Sequence, residues 1–317
     1  MAKPVVLLYE PIHPKALELL KQHADVRMAE SLEEDRLLPN VADVAGIIIR
    51  ANGKVSRRIM EAAPGLKVVA RHGTGVEAID RKAAAELGIA VVNTPDANVE
   101  SVAEQCVAMM INLSKRILEA DRAFRRGDWG ARYRLTGIEP AGKTLGVIGI
   151  GRIGYRVAEI CHLGLNMPVI YYDVVANEKA ETRLAAQRVE LDELLRNADF
   201  ITLHLPLVPN TKGIINAEAL RKMKPTAYLI NSSRGPVVDQ DALIQALQEG
   251  WIAGAGLDVF DPEPLPTDSP LLKLENVVVT PHMAAHTDEA LLRMAMVVED
   301  VIAVIEGRTP QNPVLPD

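Results

Sequence analysis

The sequence predicts an α/β protein built of two doubly wound parallel-sheet domains. Three observations carry that prediction. The chain has 317 residues, and at roughly 100–200 residues per domain that length makes two cores. Short apolar runs alternate with helical patterns along almost the whole chain, and the alternation restarts at Thr144, beyond a stretch free of Gly and Pro from Val99 to about Arg126 and a broken segment after it. Strands that alternate with helices pair in parallel and are covered on both faces.

The first apolar run is 4–9 (PVVLLY), followed by a helical pattern at 14–22 and further runs at 44–49, 66–70 and 90–93, with Ala-rich 78–88 between the last two. These elements make one unit of about the first hundred residues. From Val99 to Arg126 apolar positions recur at spacings of three and four, which predicts one long helix. After a broken stretch, strands are predicted at 144–149, 168–173, 199–205, 226–231, 253–259 and 276–282. Six strands separated by helical segments predict a doubly wound sheet. A last helix spans 287–306, with Thr287 as its N-cap and Gly307 as its stop.

Composition excludes several classes. Apolar residues make up 48% and charged residues 24%, as in ordinary folded proteins, so disordered and fibrous classes drop out. A net charge of −7 and 3% aromatics argue against nucleic-acid partners, which need a basic field or stacking platforms. Six arginines lie between Arg116 and Arg134, a stripe read as a solvated or subunit-facing surface. Cys106 and Cys161 lack C-x-x-C spacing and are expected to be buried thiols in a reducing compartment. The first apolar run is four residues long, too short for a signal core or a membrane span, so the expected location is the cytoplasm, with no membrane partner. His282 and His286 are spaced i, i+4 without an H-E-x-x-H pattern, and no metal site is expected.

The chemistry starts at LGVIGIGRIG, where Gly149, Gly151 and Gly154 form G-x-G-x-x-G after a predicted strand and before a helix. Gly149 permits the tight turn, Gly151 lets the backbone approach a pyrophosphate, and Gly154 allows close helix–sheet packing. Alone the motif is as often a plain Gly-rich turn, so its context decides. Asp173 ends the next strand, nineteen residues beyond Gly154, where a carboxylate binds a ribose diol and repels a 2′-phosphate. No Arg follows it immediately, so the expected cofactor is NAD and not NADP.

Three later strand ends each run into a loop with one ionisable residue: Arg234 in NSSRGPVVD, Glu263 in LDVFDPEPLP and His282 in TPHMAAHT. Carboxyl ends of strands face the ligand crevice in such sheets. An Arg to bind a carboxylate, a His to exchange a hydroxyl proton and a Glu to orient the His suit oxidation of a hydroxy acid. Singly, each residue reads as an ordinary surface or strand-end group.

The segments RHGTGVEAID, GIGRIG, HLPLVPNTKG, NSSRGPVVD, AGLDVFDPEPLP and TPHMAAHT resemble, in order and over nearly the whole length, the D-isomer-specific 2-hydroxyacid dehydrogenase family, most closely its phosphoglycerate-acting branch. The resemblance implies a Rossmann NAD-binding domain at 99–286, inserted in a smaller flavodoxin-like substrate domain made of 1–98 and 287–317, with the two long helices as hinges. It implies Arg234, Glu263 and His282 as the catalytic set. It also implies cofactor contacts from Thr74, Arg152, Ile153, Asp173, His204, Pro206, Ser232, Asp258 and Ala284, and a homodimer or homotetramer.

The substrate is expected to be a small anionic 2-hydroxy or 2-keto acid. The amides of Gly73, Thr74 and Gly75 are candidates for its carboxylate. Arg50 and Arg71 end neighbouring predicted strands and favour an anionic tail such as a phosphate, although a strand-end Arg is as often in an ion pair. The best single substrate is therefore 3-phospho-D-glycerate, with a role in serine biosynthesis. His72 departs from the small residue usual in that branch. Glyoxylate or hydroxypyruvate reduction is the alternative activity, and an NAD-sensing corepressor-like binding protein is the alternative of another class.

Overall fold

The computed structural model describes residues 3–315 and divides into two compact units, Met1–Asn98 with His286–Asp317, and Val99–Ala285. In the first unit the chain runs β1 (Val5–Leu8), α1 (Pro14–His23), β2 (Asp25–Met28), α2 (Glu34–Leu37), β3 (Val44–Ile49), α3 (Arg57–Glu61), β4 (Val68–Arg71), α4 (Arg81–Glu86) and β5 (Ala90–Val92). The strands form a five-stranded sheet in the order β2-β1-β3-β4-β5, all parallel. This is the flavodoxin-like order. β2 went unrecognised in the sequence because DVRM is short and leaves no residue fully buried, so it lacks the apolar signal that marked its neighbours.

The second unit begins with α5 (Val99–Lys115) and α6 (Ile117–Arg125), and continues through β6 (Leu145–Ile148), α7 (Arg152–Leu165), β7 (Val169–Tyr172), α8 (Glu178–Leu184), β8 (Gln187–Arg188), α9 (Leu191–Asn197), β9 (Phe200–Leu203), α10 (Ala217–Lys222), β10 (Tyr228–Asn231), α11 (Gln240–Glu249), β11 (Gly254–Leu257) and β12 (Val277–Val279). Its parallel strands form one seven-stranded sheet, β12-β11-β10-β9-β6-β7-β8. That is the doubly wound order of dinucleotide-binding domains with one further strand, and the strand order reverses between β6 and β9. The further strand is β12, at the edge beside β11; the strand not expected from sequence is β8, two residues long and too short to register as a strand pattern.

The chain then returns to the first unit as α12 (Asp288–Ala295) and α13 (Val297–Ile305). Thr287 caps α12 by accepting from the Ala290 amide (3.3 Å), and Gly307 stops α13 at φ 79°. α13 packs Val297, Val298, Val301, Ile302 and Ile305 into one core cluster with Val6, Leu8, Ile48, Val68, Ala70 and Val92 of the sheet.

Each of the two long helices expected from periodicity is in fact a pair. Arg116 adopts φ 53° between α5 and α6, where the Leu118 amide turns back to Asn112 Oδ1 (3.2 Å) and the Arg116 guanidinium binds Glu119. Met296 (ψ −1°) separates α12 from α13. Neither break has a Gly or Pro to announce it. The arginine stripe is paired within its own surface: Arg125 with Asp121, Arg134 with Asp128, and Arg132 over the rings of Trp129 and Tyr133. Cys106 and Cys161 are buried, and burial raises their thiol pKa values to about 11 and about 12. No helix among the described residues is long and apolar enough to cross a membrane.

The segment after Gly307 is held by Asp300, a buried α13 carboxylate that accepts from the amides of Gln311 and Asn312 and from Asn312 Nδ2. The tail then pairs with the free side of β5 through Val314 N to Val91 O (2.8 Å) and an antiparallel bridge at Val92 and Pro313. Asp300→Ala would leave those donors unpaired, and a loss of about 2 kcal/mol is expected. Urea unfolding and limited proteolysis at residues 308–315 check it; an unchanged midpoint with an intact tail would refute the clamp.

Candidate active site

The Gly-rich turn lies where the sheet order reverses. Gly149 follows β6 at φ 90°, and a Cβ there would sit 2.8 Å from His204 O at the end of β9. A side chain at Gly154 would collide with the Gly149 carbonyl, whereas Gly151 faces open space. Arg152 and Ile153 open α7, whose first turn has no side-chain cap. A glycine cradle beside an uncapped helix N-terminus is a place for a pyrophosphate. Asp173 follows β7 and accepts from the Ile150 amide through Oδ2 (2.8 Å) and from Val175 N through Oδ1 (3.3 Å). Asn177, which sequence reasoning passed over, ties the same corner by donating Nδ2 to Ile150 O (2.7 Å). These residues suit a dinucleotide.

His204 and Pro206 follow β9. The His204 ring pairs with Thr202 Oγ1 through Nε2 (2.9 Å), and burial lowers its pKa to about 3, so it is neutral at physiological pH. Ser232 is the first residue after β10. Asn231, 1% exposed, shapes the turn beyond it by donating Nδ2 to Arg234 O (3.0 Å) and accepting from Ser233 N and Oγ (3.0 and 2.8 Å). Arg234 Nη1 donates to Ser233 O (2.8 Å). An Asn at a strand end before Ser-Ser-Arg-Gly was the available signal for this positioning role.

Glu263 stands in the loop after β11, between the cis Asp261–Pro262 and Glu263–Pro264 bonds. Its Oε1 accepts from Phe260 N (2.9 Å) and its Oε2 meets His282 Nδ1 (2.8 Å). Gln240 of α11 pins the loop through both the carbonyl and the amide of Asp261. His282 has φ 50°. Asp258, 1% exposed, presents it by accepting from Thr280 Oγ1 and the amides of Met283 and Ala284 (both 2.9 Å). Ala284 is buried, with its carbonyl accepting from Ser101 Oγ (2.6 Å). Thr280 and Gln105, which touch each other (3.3 Å), complete this support and were not singled out from sequence.

The hydrogen bond to Glu263 raises the His282 pKa; burial opposes it, the Glu263 and Asp258 charges add to it, and Arg234 opposes it. Burial pushes the Glu263 carboxyl up, but its bonds to His282 and Phe260 N and the nearby positive charges bring it below the usual range. Arg234 acts on both partners. The three strand-end residues expected from sequence therefore stand together.

In the first unit, Arg71 ends β4 in register with Ile49 of β3, so Arg50 and Arg71 occupy adjacent strand ends. Arg50 Nη1 donates to Pro11 O (3.1 Å), and Glu10 grips the next turn by accepting from Ala51 N (2.6 Å) and Asn52 N (2.8 Å). His72 is 3% exposed; burial first, then the Arg50 and Arg71 charges, lower its pKa to about 4. It adds bulk here, not charge, at neutral pH. The expected three-amide carboxylate nest needs correction. Gly73 N donates to Thr94 Oγ1 (3.1 Å), so that donor is engaged within the chain, leaving Thr74 and Gly75. Thr74 is exposed, its hydroxyl 3.2 Å from Asn98 Oδ1.

A dinucleotide cradle at the sheet's reversal, with an acid–imidazole pair at its strand ends, defines the class of nicotinamide-dependent dehydrogenases. The comparisons agree. The model of the D-isomer specific 2-hydroxyacid dehydrogenase NAD binding domain matches residues 107–284. A glyoxylate reductase of Thermofilum pendens is 42% identical over 98% of this chain and 94% of its own length. A D-3-phosphoglycerate dehydrogenase of Methanocaldococcus jannaschii is also 42% identical, over 97% of this chain and 58% of its own length. A solved protein of Thermus thermophilus superposes with TM-score 0.92 at 38% identity, covering 98% of this chain and all (100%) of that one. An NADPH-dependent glyoxylate/hydroxypyruvate reductase of Sinorhizobium meliloti, solved with NADP and malonate, gives TM-score 0.89 at 31% identity, covering 99% and 97%. The chain belongs to the D-isomer-specific 2-hydroxyacid dehydrogenase family, oxidoreductases acting on CH–OH donors.

Proposed function

We propose that Arg234, Glu263 and His282 interconvert a small D-2-hydroxy acid and its 2-keto acid, with 3-phospho-D-glycerate and 3-phosphohydroxypyruvate as the pair. The bound nicotinamide supplies or accepts the hydride at C2. The observation that carries the reading is the 2.8 Å contact between Glu263 Oε2 and His282 Nδ1. It leaves Nε2 to exchange a proton with the substrate oxygen, while Glu263 stabilises the imidazolium. Arg234 binds the carboxylate and the carbonyl oxygen with its planar fork. Within the first unit, the amides of Thr74 and Gly75 suit a carboxylate, and the adjacent strand-end Arg50 and Arg71 suit a phosphate. Asp173 selects NAD over NADP by pairing with the ribose diol.

Glyoxylate or hydroxypyruvate reduction is the second reading, supported by the Thermofilum relative that matches over nearly its entire length. One assay separates the two: NADH oxidation with 3-phosphohydroxypyruvate against hydroxypyruvate. A preference of about a hundredfold in kcat/KM, about 2.7 kcal/mol of transition-state binding, is expected, falling below about tenfold in Arg50→Ala. Equal or reversed rates in the wild type would establish the second reading.

The assembly is proposed to be a homodimer built on the second unit. Trp129 and Tyr133, 63% and 74% exposed, lie at Arg132, and Phe124, 60% exposed, packs against Trp129. Aromatics and arginine mark interface centres, whereas exposed apolar patches are uncommon on monomers. Trp129→Glu is expected to shift the light-scattering mass toward 34.5 kDa, the mass of one chain; an unchanged mass would place the interface elsewhere.

A further inference from the structure

Along the chain no arginine stands next to Asp173, yet in space one does. β8 pairs with β7 at Tyr171 and Arg188, carrying Arg188 to the end of the strand that presents Asp173. Its guanidinium donates Nε (3.2 Å) and Nη2 (2.8 Å) to Asp173 O, and Nη2 (3.0 Å) to Val174 O. The Asp173 carboxylate is held instead by the amides of Ile150 and Val175. Arg188 and Val174 are exposed. A permanent cation therefore lies beside the corner where an adenosine ribose would meet Asp173, bonded only to neutral carbonyls that water can replace.

We propose that Arg188 is a specificity-determining residue of the cofactor site: its guanidinium is a ready partner for a 2′-phosphate, and the Asp173 carboxylate alone keeps a phosphorylated dinucleotide out. The inference rests on the reading of Asp173 as the ribose acceptor. The carboxylate accepts hydrogen bonds from the ribose diol and repels a 2′-phosphate. With that charge removed, an exposed guanidinium exchanges two carbonyl contacts for a charge-assisted, bidentate phosphate contact, which is shorter and roughly twice as strong as a neutral one.

The test is binding and does not require turnover. Dissociation constants for NADH and NADPH are measured by fluorescence titration, and those for AMP and 2′-phospho-AMP by calorimetry. The proteins are the wild type, Asp173→Asn, Arg188→Gln and the double variant. The wild type is expected to favour NADH at least tenfold. Asp173→Asn should bind NADPH and 2′-phospho-AMP at least tenfold more tightly than the wild type does. The double variant should lose that gain while binding NADH and AMP as Asp173→Asn does. Arg188→Lys beside Asp173→Asn should retain part of the gain, which separates charge from a folding defect. A gain that survives removal of Arg188, or no gain in Asp173→Asn, would overturn the inference. Parallel weakening of all four ligands in the double variant would overturn it too, since it shows that Arg188 only holds the turn. A wild type that binds NADH and NADPH alike would instead sink the Asp173 reading. Arg188→Gln then decides alone: selective loss of NADPH supports the inference, and unchanged NADPH binding overturns it.

Discussion

Replacing His282 by alanine is expected to lower kcat for keto-acid reduction by about 10²- to 10⁴-fold, the usual contribution of a positioned general acid. NADH affinity should stay within about twofold, because the proposed cofactor contacts are at Gly149 to Gly154 and Asp173. Equal losses in turnover and NADH binding would refute the assigned role. The pH profile gives an independent reading of the same group. Keto-acid reduction needs His282 protonated, so its rate falls as pH rises through a pKa raised above 6.5. Oxidation of the hydroxy acid needs the neutral ring and rises through the same midpoint. Glu263→Gln removes the first cause of the raised pKa, so both midpoints should move down; an unmoved profile would exclude the pair as the titrating unit. The raised His282 pKa also contributes stability below pH 6.5 that is lost as pH rises through the folded value. The lowered Glu263 pKa contributes stability above pH 4.5 that is lost on acidification. With side chains 54% and 36% exposed, solvent screens the pair, and its value lies in proton transfer.

Gly235→Ala is the second large expected effect. A Cβ at this position would overlap the Phe260 carbonyl, a backbone group that no rotamer change can move aside. The turns bearing Arg234 and Glu263 would have to separate. A stability loss of about 3 kcal/mol is expected, along with a fall in kcat larger than any change in NADH binding. Calorimetric unfolding and steady-state kinetics check this; a variant with wild-type melting and turnover would show that the two turns are not braced against each other.

Much of this fold was legible because both sheets are parallel and buried, so their strands read as apolar runs such as VAGIII and TLGVIG. What escaped was carried by other forces. β2 and β8 lack apolar signal, and the breaks at Arg116 and Met296 arise in segments whose side chains all tolerate helix. Within the site, the residues proposed to meet a ligand were visible as ionisable groups at strand ends. Their supports, Asn231, Thr280, Asn177 and Gln240, act through hydrogen bonds whose partners are fixed only in three dimensions. Arg188 was missed for the same reason: strand pairing brings it to Asp173 from fifteen residues away. Gly73 was misread because Thr94, far along the chain, takes its amide.

The placement of α13 bears on how the chain reaches this state during synthesis. The second unit is continuous in sequence, so all of its strands and helices have emerged before α13 does. The first five strands cannot seal one face of their sheet until Val297 to Ile305 arrive to cover Val6, Leu8, Ile48 and Val68. At about 5–20 residues per second of translation, the N-terminal sheet waits roughly ten seconds or more with that face covered by α1 alone. The sheet that is synthesised first is thus the last part of this protein to be finished.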